Sequence, residues 1–143
     1  MPLSFVSDNV ARVVLSRGDG SISASDLLNH LSLLGASGVQ AFDQLLDLRG
    51  ASLGLTYEDA RDVVYQQHLE LAGRRGGVTV IVADSTTTFG SARILEALMS
   101  FQGFRYVVFD DLSAAQRYFE GTRSNADYPR EHPEQARVAV EAK

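Results

Sequence analysis

The run VTVIVA at 78–83 constrains the fold of this chain more than any other feature, because it lacks charged residues and any polar-apolar alternation. Strands buried on both faces have this composition, and they are typical of parallel sheets. FRYVVFD at 104–110 is a second run of similar kind. A helix of about 90–101 is predicted between them, with an apolar face made by Ile94, Leu95, Leu98 and Met99.

Three more strands are predicted in the first third of the chain. Two short apolar segments, at 3–7 and 11–16, are joined by a turn at Asp8-Asn9, as in a β-hairpin. A largely apolar strand is predicted at 41–48. The hairpin therefore precedes the units that are expected to build the parallel sheet.

Two capping boxes mark the starts of two further helices. Ser23 is followed three residues later by Asp26, and Thr56 is followed three residues later by Asp59. The first of these helices is predicted to end at Gly35, the second at Gly76-Gly77, and a short closing helix is predicted at 112–119.

The predicted order β-β-α-β-α-β-α-β-α indicates one α/β domain with right-handed crossovers. We expect a mixed, mostly parallel sheet with the hairpin at one edge and about four helices. The strands at 41–48, 78–83 and 104–109 are expected to be parallel in its interior. The domain is assigned to 1–120, and the polar segment 121–143 is interpreted as a mobile or loosely docked tail.

Composition excludes several classes of function. The formal net charge of -5 opposes binding to nucleic acid, which normally needs a basic face. The chain has no cysteine, so it has neither a thiolate nucleophile nor a cysteine zinc site. No apolar run approaches the length of a membrane span, and the N-terminus does not resemble a signal peptide. We therefore expect a cytoplasmic protein.

Functional residues of parallel sheets lie at the carboxyl ends of the strands, which here include Asp47, Asp84 and Asp110. A phosphoacceptor receiver domain also gathers carboxylates there, but it needs a lysine, and the only lysine is Lys143. The three histidines are far apart in sequence, and RGDG at 17–20 is interpreted as a turn. No catalytic residue, metal site or cofactor is predicted, and the protein is expected not to be an enzyme.

Three stretches resemble the SpoIIAA-like branch of the STAS superfamily: LLDLRGASLGLTYEDARDVV, VTVIVADSTTTFGSARILEAL and YVVFDDLSAAQRYFEG. The resemblance covers about residues 3–120. It implies a STAS-like domain, related to CRAL-TRIO lipid-transfer domains, that acts through protein contacts. In sigma-factor antagonists of this type, a kinase phosphorylates a serine in an Asp-Ser-Ser-Gly stretch. The corresponding residues here are Leu55-Thr56-Tyr57-Glu58, which lack the acid, both serines and the glycine.

Thr56 is the hydroxyl residue nearest to that position. We interpret it as a helix cap rather than a phosphorylation site, because a phosphate there would be repelled by Glu58 and Asp59. Should this region instead bind a partner or be regulated, the residues concerned are Ser52, Thr56 and Tyr57.

A second candidate site lies in DSTTTFGSAR at 84–93. Hydroxyls before a helix, followed by an arginine one turn inside it, are typical of anion or ligand binding. The structural alternative is that these residues cap and pack the helix while the arginine pairs with Asp84 or Asp110. The candidate ligand residues are Thr86, Thr87, Thr88, Phe89, Gly90 and Arg93.

Two functions remain open. The first is a non-enzymatic interaction or regulatory module that binds a protein partner or a second copy of itself. The second is a carrier or sensor of a small apolar, lipid-like ligand, held between the sheet and helices. A large apolar cavity would favour the carrier, and an apolar patch on the outer face of a helix would favour the interaction module. The predicted lining of the carrier pocket is Val63, Val64, Leu95, Leu98 and Phe101.

Overall fold

The centre of the protein is a five-stranded sheet with helices on both faces. The structure is a computed structural model that describes residues 2–127, with side chains as far as Arg123. In chain order the elements are β1 (Leu3–Asp8), β2 (Val13–Gly18), β3 (Gly20–Ile22), α1 (Ala24–Ala36), β4 (Asp43–Asp47), β5 (Ala51–Leu53), α2 (Tyr57–Leu71), β6 (Val78–Val82), α3 (Thr86–Phe101), β7 (Arg105–Phe109) and α4 (Leu112–Asp127).

The sheet has the order β1-β2-β4-β6-β7. β1 and β2 form an antiparallel hairpin, whereas β2, β4, β6 and β7 are mutually parallel. The predicted α/β class, the hairpin at one edge and the parallel pairing are therefore confirmed. The predicted interior position of the strand at 104–109 is wrong: β7 is the opposite edge. The chain continues from β7 into α4, which packs on the sheet and leads to no further strand among the described residues.

Two hydrophobic cores lie on the two faces of the sheet. Side chains alternate along a strand, so Ile81 of β6 belongs to the core beneath α1, α2 and α3, while Val80 and Val82 belong to the core beneath α4. All residues of β6 are buried, as predicted for a strand covered on both faces. α4 contributes Ala115 and Phe119 to its core.

Two short strands extend the structure beyond the main sheet. β3 and β5 pair in parallel as a separate two-stranded ribbon. Each has only three residues, too few for the sequence to show a period of two. They follow β2 and β4 in the chain, so the ribbon prolongs the carboxyl edge of the sheet toward the start of α2.

The helix ends differ from those predicted. α2 stops at Leu71, because Ala72 adopts a left-handed conformation with φ of 50°. Gly76-Gly77 is therefore not the end of α2. A Cβ on Gly77 would collide with the backbone of β4, 2.7 Å from the amide nitrogen of Asp43, so this glycine is required for close packing.

α3 and α4 are both longer than predicted. α3 begins at Thr86 rather than near residue 90, and the predicted inward residue Ile94 is instead exposed. α4 runs past the predicted boundary at residue 120 as far as Asp127. The division into a domain and a tail stays a prediction, and the remainder of that tail, 128–143, lies outside the described residues.

Arg123 attaches the second half of α4 to the sheet. Its guanidinium donates hydrogen bonds to the carboxylate of Asp43 and to the carbonyl of Ala11, and the side chain is buried. Asp43 also accepts a hydrogen bond from the N–H of Val78 at 2.8 Å. The ion pair of Arg123 and Asp43 links α4 to β4, and further hydrogen bonds of the two residues reach the hairpin turn and the start of β6.

Candidate functional site

Two of the three predicted acidic strand ends, Asp47 and Asp84, make structural contacts, whereas Asp110 is exposed. Arg49 binds both carboxylate oxygens of Asp47, with N–O distances of 2.9 Å, and this interaction is the main cause of the lowered pKa of Asp47. Asp84 accepts a hydrogen bond from the N–H of Gly50 at 3.3 Å. Asp111 caps α4 by accepting from the N–H of Ala114 at 2.9 Å. Within residues 2–127, no three histidine or acidic side chains are grouped to hold a metal ion.

Two hydroxyls of α3 join that helix to the segment around β5. Thr88 donates to the carbonyl of Ala51 and accepts from the N–H of Leu53, both at 3.1 Å. Ser91 accepts from the N–H of Leu55 at 3.0 Å. Neither hydroxyl is exposed. The sequence signal for Ser91 was its position three residues after Thr88, which places both on one helix face.

Several groups predicted for an anion site are already engaged. Ser85 caps α3 by accepting from the N–H of Thr88 at 3.2 Å. Arg93 pairs with Glu96 at 3.0 Å, one turn along the helix, and not with Asp84 or Asp110. The exposed residues Thr86, Thr87 and Gly90 and the half-buried Phe89 remain around the helix start. The anion site stays a prediction.

The residues predicted for partner binding or regulation lie close together along the chain. Thr56 is the N-cap of α2: its hydroxyl accepts from the N–H of Asp59 at 3.0 Å, and the Asp59 carboxylate accepts from the N–H of Thr56 at 3.1 Å. The predicted capping role is therefore confirmed. Ser52 is exposed on β5, and Tyr57, which follows the cap, is 60% exposed.

An open groove of about 300 Å³ runs between the outer faces of α2 and α3. We call it the α2–α3 groove. Phe101 and Tyr65 are 85% and 65% exposed, so large apolar surface faces solvent there. Residues of both helices line the groove, among them Tyr57, Arg61, Val64, Tyr65, Leu98 and Phe101.

The polar groups of the groove are cationic or neutral. Arg61 lies over the ring of Tyr57, 6.0 Å from its centroid, and has no carboxylate partner among the described residues. Nε2 of His68 lies 3.2 Å from the side-chain oxygen of Gln102. An aromatic surface with one unpaired guanidinium is therefore exposed on the outer side of the two helices.

The residues predicted for an apolar-ligand pocket do not share one cavity. Val63 and Leu95 are in the core and do not line the groove. Val64, which is also a core residue, lines the groove together with Leu98 and Phe101. A separate cavity beneath α1 and α2 measures about 10 Å³ and is lined partly by glutamines. That volume is close to the smallest that holds one water molecule.

A buried polar cluster joins α1 to the sheet. Nε2 of His30 lies 3.2 Å from Ser16 Oγ and 2.9 Å from Nε2 of Gln44, which also donates to that hydroxyl at 2.8 Å. Burial lowers the pKa of His30 to about 4. The ring is therefore neutral near neutral pH. The sequence did not indicate this cluster, because its members come from three separate elements.

Comparisons with known proteins identify the fold. The chain resembles the crystal structure of an uncharacterised protein of the DUF3478 family, with a SpoIIAA-like fold, from Shewanella loihica PV-4. The TM-score is 0.52 at 14% identity, over 82% of this chain and 93% of that one. The predicted SpoIIAA-like fold is confirmed, whereas the relation to CRAL-TRIO domains stays a prediction. Neither a known protein family nor a curated protein matches the sequence.

None of the helices in the described part of the chain has the length and apolar character needed to cross a membrane.

Proposed function

We propose that this protein is a non-enzymatic interaction module that binds a partner protein in the α2–α3 groove. The exposed aromatic surface of the groove is the observation that carries the proposal. Tyr57, Tyr65 and Phe101 are all more than half exposed, although burial of such side chains stabilises proteins by roughly 1.5–3 kcal/mol each. A partner that covers them gains this apolar contact.

The partner is an amphipathic helix with a carboxylate beside its apolar face. A groove between two helices accepts another helix through apolar anchors spaced three and four residues apart. Arg61 has no ion pair among the described residues, so a carboxylate on the partner would complement it. The aromatic residues would supply affinity, and Arg61 would favour acidic over basic partners.

The non-enzymatic part of the proposal rests on how the polar residues are used. Ser16 and His30 are close enough to resemble a nucleophile and its base, but both are almost completely buried, and Gln44 contacts both. Substrate has no access to the pair. Asp47 and Asp84 at the strand ends are engaged by Arg49 and the backbone of Gly50.

A peptide-display experiment tests the proposal. A library of amphipathic helices with varied charge is selected on the wild-type protein, and binding is then measured to Phe101→Ser and Arg61→Ala. Val10→Ser and Arg117→Ala are the matched controls, because they change an exposed apolar residue and an exposed arginine outside the groove. We expect acidic amphipathic peptides whose binding falls at least about tenfold in the groove variants alone, or about 1.4 kcal/mol.

Two outcomes would oppose the proposal. Selected peptides that bind the groove variants and the controls equally would show that the groove is not the binding surface. A lipid-like molecule that copurifies with the protein, seen by native mass spectrometry and lost in Phe101→Ser, would favour the alternative carrier function. The groove volume, near the lower limit for small-molecule pockets, is the observation that keeps this alternative open.

A further inference from the structure

The two edges of the main sheet are protected differently. At the β7 edge, the N–H of Val108 donates to the carboxylate of Glu96 at 3.0 Å, and Arg93 holds that carboxylate through an ion pair. This contact occupies a backbone donor that would otherwise pair with another strand. Natural proteins commonly block sheet edges with charged side chains in this way.

The β1 edge has no such block among residues 2–127. The N–H of Asp19 donates to the carbonyl of Pro2, which makes these two residues a hydrogen-bonded pair. The ladder alternates, and Leu3 pairs with Gly18, so Leu3, Phe5 and Ser7 occupy non-hydrogen-bonded positions. Their backbone N–H and C=O groups therefore point away from β2, and no described residue bonds to them.

The side chains of Leu3–Ser7, the part of β1 before Asp8, do not repel a second strand. The segment Leu3–Ser7 has no charged residue, proline or glycine. Val6 and Leu15 lie opposite each other in the hairpin and are 66% and 47% exposed. They are on the same face of the sheet as α4, beyond the part that this helix covers. An uncharged edge beside an exposed apolar strip is the arrangement that favours strand pairing.

We infer that two copies of this protein associate through antiparallel pairing of their β1 strands. A two-fold axis at Phe5 places Phe5 opposite itself and Leu3 opposite Ser7 of the partner copy. These are the residues with free backbone groups, so every pair exchanges two hydrogen bonds. The contact is isologous and closes at two copies, giving one continuous ten-stranded sheet from two five-stranded ones. This inference is independent of the α2–α3 groove, which is formed by helices on the sheet face opposite to α4 and not by the β1 edge.

The proposed pairing fixes which side chains meet. Ser4 of one copy lies opposite Val6 of the other in a non-hydrogen-bonded pair, where Cα atoms are about 4.5 Å apart. The distances from Ser4 to Ser4 and from Val6 to Val6 are larger, because the two-fold axis lies at Phe5. The chain has no cysteine, so introduced thiols report this geometry without background.

Disulfide formation tests the pairing and its register. Ser4→Cys and Val6→Cys are purified separately, and each is oxidised alone and in an equimolar mixture. We expect a crosslinked dimer mainly in the mixture, containing one copy of each variant by mass. Equal crosslinking in all three samples, or none in the mixture, would overturn the inference.

Sedimentation equilibrium of the full chain provides a second measurement. Val6→Lys places one lysine from each copy beside the paired strands and should weaken self-association at least about tenfold. Val10→Lys is the control, because it changes an even more exposed valine outside the paired segment. Circular dichroism checks that both variants fold. A monomeric wild-type protein at all concentrations would overturn the inference, as would equal association of the two variants. Neither result would affect the peptide-binding test of the groove.

Discussion

The hydroxyl of Thr88 accepts a hydrogen bond from the N–H of Leu53 across 3.1 Å and so joins the first turn of α3 to β5. The same hydroxyl donates to the carbonyl of Ala51, and the residue is fully buried. Thr88, which the sequence suggested as a possible ligand residue, therefore satisfies two backbone groups of β5, a strand that within residues 2–127 pairs only with the short β3.

Thr88→Val should destabilise the protein by about 1–3 kcal/mol, because it leaves buried backbone groups of β5 without partners while keeping the side-chain shape. Thr87→Val is the control, since Thr87 is exposed, and should change stability by less than about 0.5 kcal/mol. Urea unfolding measures both. Equal stability of the two variants would show that the hydroxyl of Thr88 contributes nothing.

The sequence predicted the main sheet better than its extensions. The composition of β6 and the two capping boxes depend on local sequence, and these elements were found where they were expected. β3 and β5 have only three residues each, and the segment around β5 is bound by Thr88 and Ser91 of α3, thirty-five or more residues away, which local sequence does not show. The edge position of β7 agrees with the predicted order of elements, in which no strand follows the one at 104–109, so the interior position was the wrong conclusion from that order.

The candidate site was predicted only in part. Tyr57 was expected at a partner surface, and it lines the groove. The groove itself needs α2 and α3 side by side, and the exposure of Phe101 follows from its place at the end of α3. Sequence periodicity assigns a residue to a helix face, but it does not show whether another element covers that face.

His30 predicts a dependence of stability on pH. Its pKa is lowered from 6.5 to about 4 by burial, so the unfolded state binds more protons between these values. Stability is therefore highest above the unfolded pKa and falls as the pH decreases toward 4. Between about pH 7.5 and about pH 5 the loss from this residue is about 2 kcal/mol.

His30→Gln should remove that part of the pH dependence while retaining hydrogen-bonding capacity. Urea unfolding at the two pH values gives the change for each protein. An identical pH dependence in wild type and His30→Gln would contradict the assignment.

Arg123→Ala should destabilise the protein by about 3–5 kcal/mol, because Asp43 would keep a partly buried carboxylate without its cation. Arg117→Ala, at an exposed residue of the same helix, should change stability by less than about 0.5 kcal/mol. Thermal and urea unfolding measure both variants. A loss below about 1 kcal/mol for Arg123→Ala would show that α4 is held without this ion pair.

Thr56 separates helix capping from regulation. Thr56→Ala should cost about 1 kcal/mol, whereas Thr56→Asp should retain stability, because aspartate also caps and its charge suits a helix N-terminus. Thermal melts give the stabilities, and sedimentation velocity gives the association state. Changed self-association or peptide binding in Thr56→Asp, at an unchanged melting temperature, would instead indicate a regulated site beside the groove.

We propose the α2–α3 groove as a partner-binding surface. An NMR titration of the ¹⁵N-labelled protein with a selected acidic amphipathic peptide locates the binding surface residue by residue. We expect chemical-shift changes concentrated at α2 from Tyr57 to His68 and at the end of α3 from Leu98 to Gln102. The same titration of Phe101→Ser should give little change. Shifts concentrated elsewhere in the protein, and retained in Phe101→Ser, would contradict the claim.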